Sequence, residues 1–159
     1  NDIVYGLAVS SSGNVVWATE YTTCQIHAYA VTPAGFNELG SSPFLTGDAN
    51  PCDVVVPSPG GSWLFQNSSA DGVSTFSVAA DGALTEIGSS PSALPGSVYQ
   101  FTADPTRDRF YAPAMGLGAL LAVDVNLSTG AFTENASLRV TLASAGGTAC
   151  GKAVSAACA

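Results

Sequence analysis

The chain repeats itself about every 47 residues, three times over. Ala8 to Trp17 aligns without a gap on Val55 to Leu64 and then on Thr102 to Tyr111, and each copy reads as apolar strand, tight turn, apolar strand. Tyr29 and Val31 fall at the same spacing on Phe76 and Val78, and then on Val123 and Val125. After a one-residue slip, Phe36, Glu38 and Gly40-Ser41-Ser42-Pro43 match Leu84, Glu86 and Gly88-Ser89-Ser90-Pro91, and in the third copy Phe132 and Glu134. A period of roughly 40 to 50 residues built from four short strands is that of propeller blades. The predicted fold is therefore all-β, a β-propeller of three four-stranded blades at 1–47, 48–95 and 96–142. An Ala- and Gly-rich tail, 143–159, follows with no strand signal of a fourth blade.

In the first copy the strands are expected at Val4 to Val9, Val15 to Thr19, Gln25 to Val31 and Phe36 to Gly40. Pro, Gly, Ser and Asp gather between strands, as at Pro57-Ser58-Pro59-Gly60-Gly61 and Ala80-Asp81-Gly82, because tight hairpins need preset or positive φ. Up-and-down strand order brings the second-to-third-strand turn and the crossover between blades to one end. Cys24 lies in that turn and Cys52 opens the second blade, so a Cys24–Cys52 bridge would staple blade one to blade two. Cys150 and Cys158 would then pair in the tail, although four cysteines permit three pairings.

Three blades do not close a ring, since propellers have about four to eight, and an open array exposes strand edges and apolar faces. The expected partners are a second copy or a second propeller fragment that completes the ring. Twelve acidic residues against 4 basic ones argue against nucleic acid and anionic membranes. No apolar stretch reaches the ~18 residues of a membrane span. The sequons Asn67-Ser68-Ser69, Asn126-Leu127-Ser128 and Asn135-Ala136-Ser137, with an even number of cysteines, point to a secreted glycoprotein, outside the cell or in its wall, bearing N-linked glycans.

Nothing in the sequence assembles a catalytic constellation. His27 is the only histidine, set in the third strand of its blade away from the inner strands. With it alone and no Cys-x-x-Cys, neither a zinc site nor a Ser-His-Asp triad has support. Asp48 and Asp53 bracket the first crossover and read as turn residues, with cation binding as the alternative. Gly116-Leu117-Gly118 lacks the strand-to-helix context of a nucleotide loop. Trp17, Trp63, Phe110 and Tyr111 recur on the second strand of the blades and are expected in the core between them, a sugar-stacking role being the alternative. No cofactor is expected.

The pattern Ala-Val-Ser-x-x-Gly-x-x-x-Trp at Ala8 to Trp17, the strand ending Tyr29-Ala30-Val31 and the turn with Gly35 resemble the repeat of seven-bladed lactonase-like propellers. That family includes the 3-carboxymuconate cyclase and 6-phosphogluconolactonase groups, with secreted fungal cyclase-like glycoproteins at its periphery. Val98 to Pro105 and Met115 to Gly118 resemble it most, and the likeness runs from residue 3 to about 135. It implies the fold and a central cavity lined in family enzymes by His, Arg and acidic side chains, commonly with a His before the first strand of a blade. The crossovers here read Asn50-Pro51-Cys52-Asp53 and Pro95-Gly96-Ser97-Val98-Tyr99, without one. The expected function is thus a structural, surface or binding propeller with no catalysis in this chain alone. Part of a lactonase- or cyclase-like enzyme, or a carbohydrate-binding propeller, are the alternatives.

Overall fold

The structure, a computed structural model, describes residues 3–46, 52–68, 72–92, 94, 98, 100–114 and 117–142, with the backbone alone at 52–54, 68 and 88–92. Three antiparallel sheets follow one another along the chain. Blade one holds β1 (Val4–Val9), β2 (Val15–Glu20), β3 (Ile26–Thr32) and β4 (Gly35–Glu38) in sequence order. Blade two holds β5 (Cys52–Pro57), β6 (Trp63–Ser68), β7 (Gly72–Val78) and β8 (Leu84–Ser92). Blade three holds β9 (Thr102–Ala103), β10 (Arg109–Ala114), β11 (Ala119–Asn126) and β12 (Ala131–Glu134), and β13 (Val140–Thr141) adds to β11 beyond β12. The expected three-blade, all-β architecture is the one observed.

Strand β9 is shorter than its equivalents for a physical reason. Pro113 of β10 has no N–H to give the ladder, and pairing resumes only at the isolated bridge Val98–Ala114, one residue out of step. Likewise β13, outside the expected strand set, takes the edge of β11 at Ala119 and Leu120 that β12 leaves uncovered.

The turns between the first two strands correct the repeat alignment. Ser10 Oγ accepts from Val15 N, Ser58 Oγ accepts from Trp63 N, and Asp104 takes the third place with its N–H on Arg109 O. These anchors stand 48 and then 46 residues apart, so the gapless 47-residue register is off by one on β6. Trp17 therefore matches Phe65 and Tyr111, which pair with Ala28, Thr75 and Ala122 in the third strands. Trp63 matches Val15 and Arg109.

Alternation of side chains makes each sheet two-faced. Ala8, Trp17, Ile26 and Ala28 of blade one meet Val55, Leu64, Phe76 and Leu84 of blade two in one cluster. Phe65 and Val73 on the far face of blade two meet Phe110, Ala112 and Val125 of blade three, with Phe65 edge-on to Phe110 at 4.6 Å and to Phe132 at 5.2 Å. Trp17 and Phe110 thus lie in the interblade core as expected, and Trp63 packs against the second cluster. Tyr111 does not: it lies half-buried on the outward face of blade three.

Gln66 is fully buried beside Leu64's side of β6, and neither atom of its amide has a hydrogen-bond partner. Such an unmet pair costs about 1–3 kcal/mol. Gln66→Met, which fills the same volume without polar atoms, is expected to stabilise the chain by about 1–2 kcal/mol in equilibrium urea unfolding. A loss of stability would mean the amide has a native partner.

Candidate functional site

Blades one and three each turn one face away from the rest of the molecule, and the groups with chemical character gather there. On blade one, Ile26 and Ala28 face blade two, so His27 and Tyr29 point outward, next to Leu7, Val9 and Phe36, which are 67, 53 and 68% exposed. His27 Nδ1 lies 2.8 Å from Glu38 Oε1 and its Nε2 lies 3.8 Å from Glu20 Oε2. Glu20 is buried and accepts from the hydroxyls of Thr22 and Thr23. The His27 contact, then the Ser42 hydroxyl at 2.7 Å, holds the Glu38 carboxyl below its usual range. Burial, then Glu38, raises Tyr29. His27 is bound into this surface cluster, consistent with a structural histidine.

On blade three, Phe110, Ala112 and Ala114 face inward, leaving Arg109, Tyr111 and Pro113 outward. Arg109 Nε donates to Asp124 Oδ1 at 2.6 Å, and Asn135 Nδ2 donates to Asp124 Oδ2 at 2.8 Å. Tyr111 Oη donates to Asp104 Oδ2 at 3.0 Å. The amide and then the hydroxyl of Thr106 hold Asp104 below its usual range, Arg109 does the same to Asp124, and Arg139 to Glu134.

These three carboxylates bind fewer protons in the native chain than in the unfolded one near pH 4. The stability they lend is present above the ordinary carboxylate range and lost as the pH falls through their lowered values. Half-exposed pairs such as Arg109–Asp124, 15 and 43% exposed, are screened and contribute little singly. Denaturation midpoints taken from about pH 7 to about pH 2.5 should fall on acidification, less steeply in Asp104→Asn. A midpoint that rises on acidification would contradict the assignment.

A groove of about 240 Å³ lies at the other joint, between the turns at Ser10–Asn14, Gly60–Ser62 and Val78–Gly82. Two of its hydroxyls are used locally, since Ser10 and Ser12 both bond Asn14 Oδ1. Among the described residues no group of His, Cys, Asp and Glu could hold a metal ion.

The three sequons fall in different settings. Asn67, in β6, is fully buried and its Nδ2, the atom a glycan would take, donates to Val98 O at 2.6 Å. A glycan at Asn67 would require this bond to be given up and the side chain to leave the interior. Asn135 is half-buried with its Nδ2 on Asp124. Asn126 is exposed at the end of β11, where its Oδ1 accepts from Ser128 N at 2.9 Å and its Nδ2 faces away from that bond. Sequence patterning missed Asn67's burial because only the alternation with Phe65 on the inner face reveals it. Cys24 is buried at the turn after β2 with φ 58, in the left-handed region. The side chains of Cys52 and Asp53, and Asp48, Cys150, Cys158 and the tail, lie outside the described residues. Among the described residues no helix is long and apolar enough to cross a membrane.

No protein-family profile and no curated protein matches the sequence. Solved structures do match. A candidate 6-phosphogluconolactonase from Bacteroides uniformis superposes with TM-score 0.75 at 16% identity, over 89% of this chain and 41% of that one. The periplasmic gluconolactonase PpgL of Pseudomonas aeruginosa gives 0.70 at 16% identity, over 86 and 39%. The Cps50 β-propeller domain of Myceliophteria thermophila gives 0.61 at 13% identity, over 78 and 41%. The chain spans about two fifths of the length of these structures. What the likeness establishes is the fold, three consecutive blades of a β-propeller.

Proposed function

We propose that the chain belongs to a secreted, glycosylated β-propeller that acts as a structural, surface or binding protein, its ring completed by further blades from a second copy or another fragment. The observation that carries this is the pair of outward faces. Leu7 and Phe36 on one and Leu120 on the other stand exposed at strand positions whose equivalents between blades are buried or partly buried. Cys24 is buried and disulfide-bonded, which supports secretion and the Cys24–Cys52 staple between neighbouring blades. Burial of Trp17 and Phe110 removes two of the four aromatics on which a sugar-stacking role would rest.

Expressed through a eukaryotic secretory pathway, the folded chain is expected to carry an N-linked glycan at Asn126. Intact mass before and after glycosidase reads it, and Asn126→Gln should remove it while Asn67→Gln changes nothing in glycan mass. Folded protein with a glycan on Asn67, or none on Asn126, would count against the reading.

A second reading is part of a lactonase-like enzyme, favoured by the superposition on PpgL. Incubation of this chain with a panel of sugar lactones decides between them, since turnover by the chain alone would overturn the first reading.

A further inference from the structure

We propose that the groove at the joint of blades one and two is a binding site for a single neutral sugar ring. This rests on the binding role put forward above and gives it a site and a ligand class.

The two joints inside the chain share one device. In each, the turn between the third and fourth strands of the later blade reaches over the earlier blade, and its glycine carbonyl accepts a side-chain hydrogen bond. Trp17 Nε1 donates to Gly82 O at 3.0 Å, and Thr75 Oγ1 donates to Gly130 O at 3.1 Å. The joints differ just before those glycines. The turn of blade three, between the paired residues Val125 and Phe132, is one residue longer than that of blade two, between Val78 and Leu84, and its Leu127 packs against the interblade cluster. The shorter turn of blade two offers only Ala79 and Ala80, both exposed, and the groove of about 240 Å³ lies beside them.

Its walls are held by backbone. Gly61 has φ 71, and a Cβ there would lie 2.6 Å from Ser11 Oγ, so the turns of the two blades meet along one side of the groove. Apart from Trp17, which is 1% exposed, no lining side chain is larger than Asn or Val, so none can swing in to close it.

The lining carries no charged group, which leaves an ionic ligand without a counter-charge, and the chain's net charge of −8 disfavours acidic ones further. What it offers is amide and hydroxyl. The hydroxyls of Ser10 and Ser12 both donate to Asn14 Oδ1, which sets the amide so that Nδ2 keeps its two N–H donors for other partners. Among the described residues, Asn14 Nδ2 and the hydroxyls of Ser11 and Ser62 have no hydrogen-bond partner. Uncharged donors and acceptors side by side match a ligand whose groups are each both, as sugar hydroxyls are. Because the Asn14 amide is already fixed, less ordering is needed on binding. The volume is below the about 300–1,000 Å³ of sites for drug-sized molecules, which leaves room for one ring. Trp17 gives its ring to the core and only floors the groove, so recognition here is by hydrogen bonds and not by stacking.

Titration of the isotope-labelled full chain with the methyl glycosides of glucose, galactose, mannose and N-acetylglucosamine, followed by nuclear magnetic resonance, tests the site. The chain has two tryptophans. Trp17 floors the groove, whereas Trp63 packs against the cluster of the other joint, so a bound ring should move the Trp17 indole N–H signal and leave that of Trp63 in place. The expected result is a saturable shift with at least one glycoside at about 1–10 mM, the range suited to so small a ligand in an open groove. Ala79→Leu, which fills the groove as Leu127 fills its own joint, should abolish the shift. Asn14→Asp keeps the acceptor for Ser10 and Ser12 but loses Nδ2, and should weaken binding about tenfold. Both positions are exposed, so both variants should keep the wild-type far-ultraviolet spectrum. Equal affinity for the trisaccharide of the bound sugar assigns a free ring and tighter binding the end of a glycan, and either supports the site. No saturable shift with any of the four, a shift that survives Ala79→Leu, or an Asn14→Asp chain that binds like wild type would each overturn the proposal. A chain glycosylated at Asn126 with no sugar response loses the site and keeps the proposed function, whereas a sugar-binding chain that hydrolyses lactones keeps the site and loses that function.

Discussion

Trp17→Ala should lower the stability of the chain by about 3–5 kcal/mol, the usual effect of emptying a large aromatic site in a core. For a chain of this size that is a fall in melting temperature of about 6–20 °C. Trp17 is 1% exposed and sits between Val15, Ile26 and Ala28 of its own blade and Leu64 and Leu84 of the next, so neither sheet can collapse into the space alone. Trp17→Phe separates the two contributions of the side chain. It keeps most of the packing but strands the Gly82 carbonyl, and about 1–3 kcal/mol of the loss should remain. Thermal and urea unfolding of the three proteins reads both quantities. An Ala variant within about 1 kcal/mol of wild type would mean the two blades are not packed through this residue.

Gly82→Ala should have the second-largest effect, about 2–4 kcal/mol, from adding a single methyl group. Two causes add. The residue has φ 90, outside the regions favoured by L side chains, and its new Cβ would lie 2.7 Å from both methyl groups of Val15. Val15 is β-branched and held by its own strand, so it gives way poorly. Gly13→Ala is the control, with φ 73 but open space around the Cβ position. It should lose only the about 1–2 kcal/mol of backbone strain. Equal losses at the two sites would show that the blade contact at Gly82 is looser than described.

Much of this was legible from residue order, and the part that was not has identifiable causes. The period, the three four-stranded blades and the interblade placement of three of the four aromatics follow from alternation and turn residues. The alignment failed by one residue on β6 because Leu64 and Phe65 are both large and apolar. Hydrophobicity alone cannot tell which of them faces blade three, and only the Ser10, Ser58 and Asp104 hydrogen bonds settle it. The same ambiguity hid Asn67, since a sequon is a local pattern while burial is decided by the sheet packed against it. His27 was placed correctly in its strand, but its partner Glu38 comes from β4, across a register fixed by the two-residue turn at Pro33 and Ala34. Tyr111 is the converse case: its position in the repeat says core, and only the end of the array leaves it outward.

Each sheet draws its strands from one uninterrupted stretch, Val4 to Glu38 for the first and Cys52 to Ser92 for the second. All main-chain pairing that makes a blade is therefore close in sequence, and no blade waits for a strand from the far end of the chain. Topology of this kind favours rapid local closure. During synthesis from the N-terminus, blade one can complete its hydrogen bonds while the ribosome still holds the residues of blade two. Its Trp17 surface then waits, uncovered, until Leu64 and Phe76 arrive. The hazardous moment in the life of this fold is thus the interval between one finished sheet and the next, when a half-made array is briefly adhesive along its leading face.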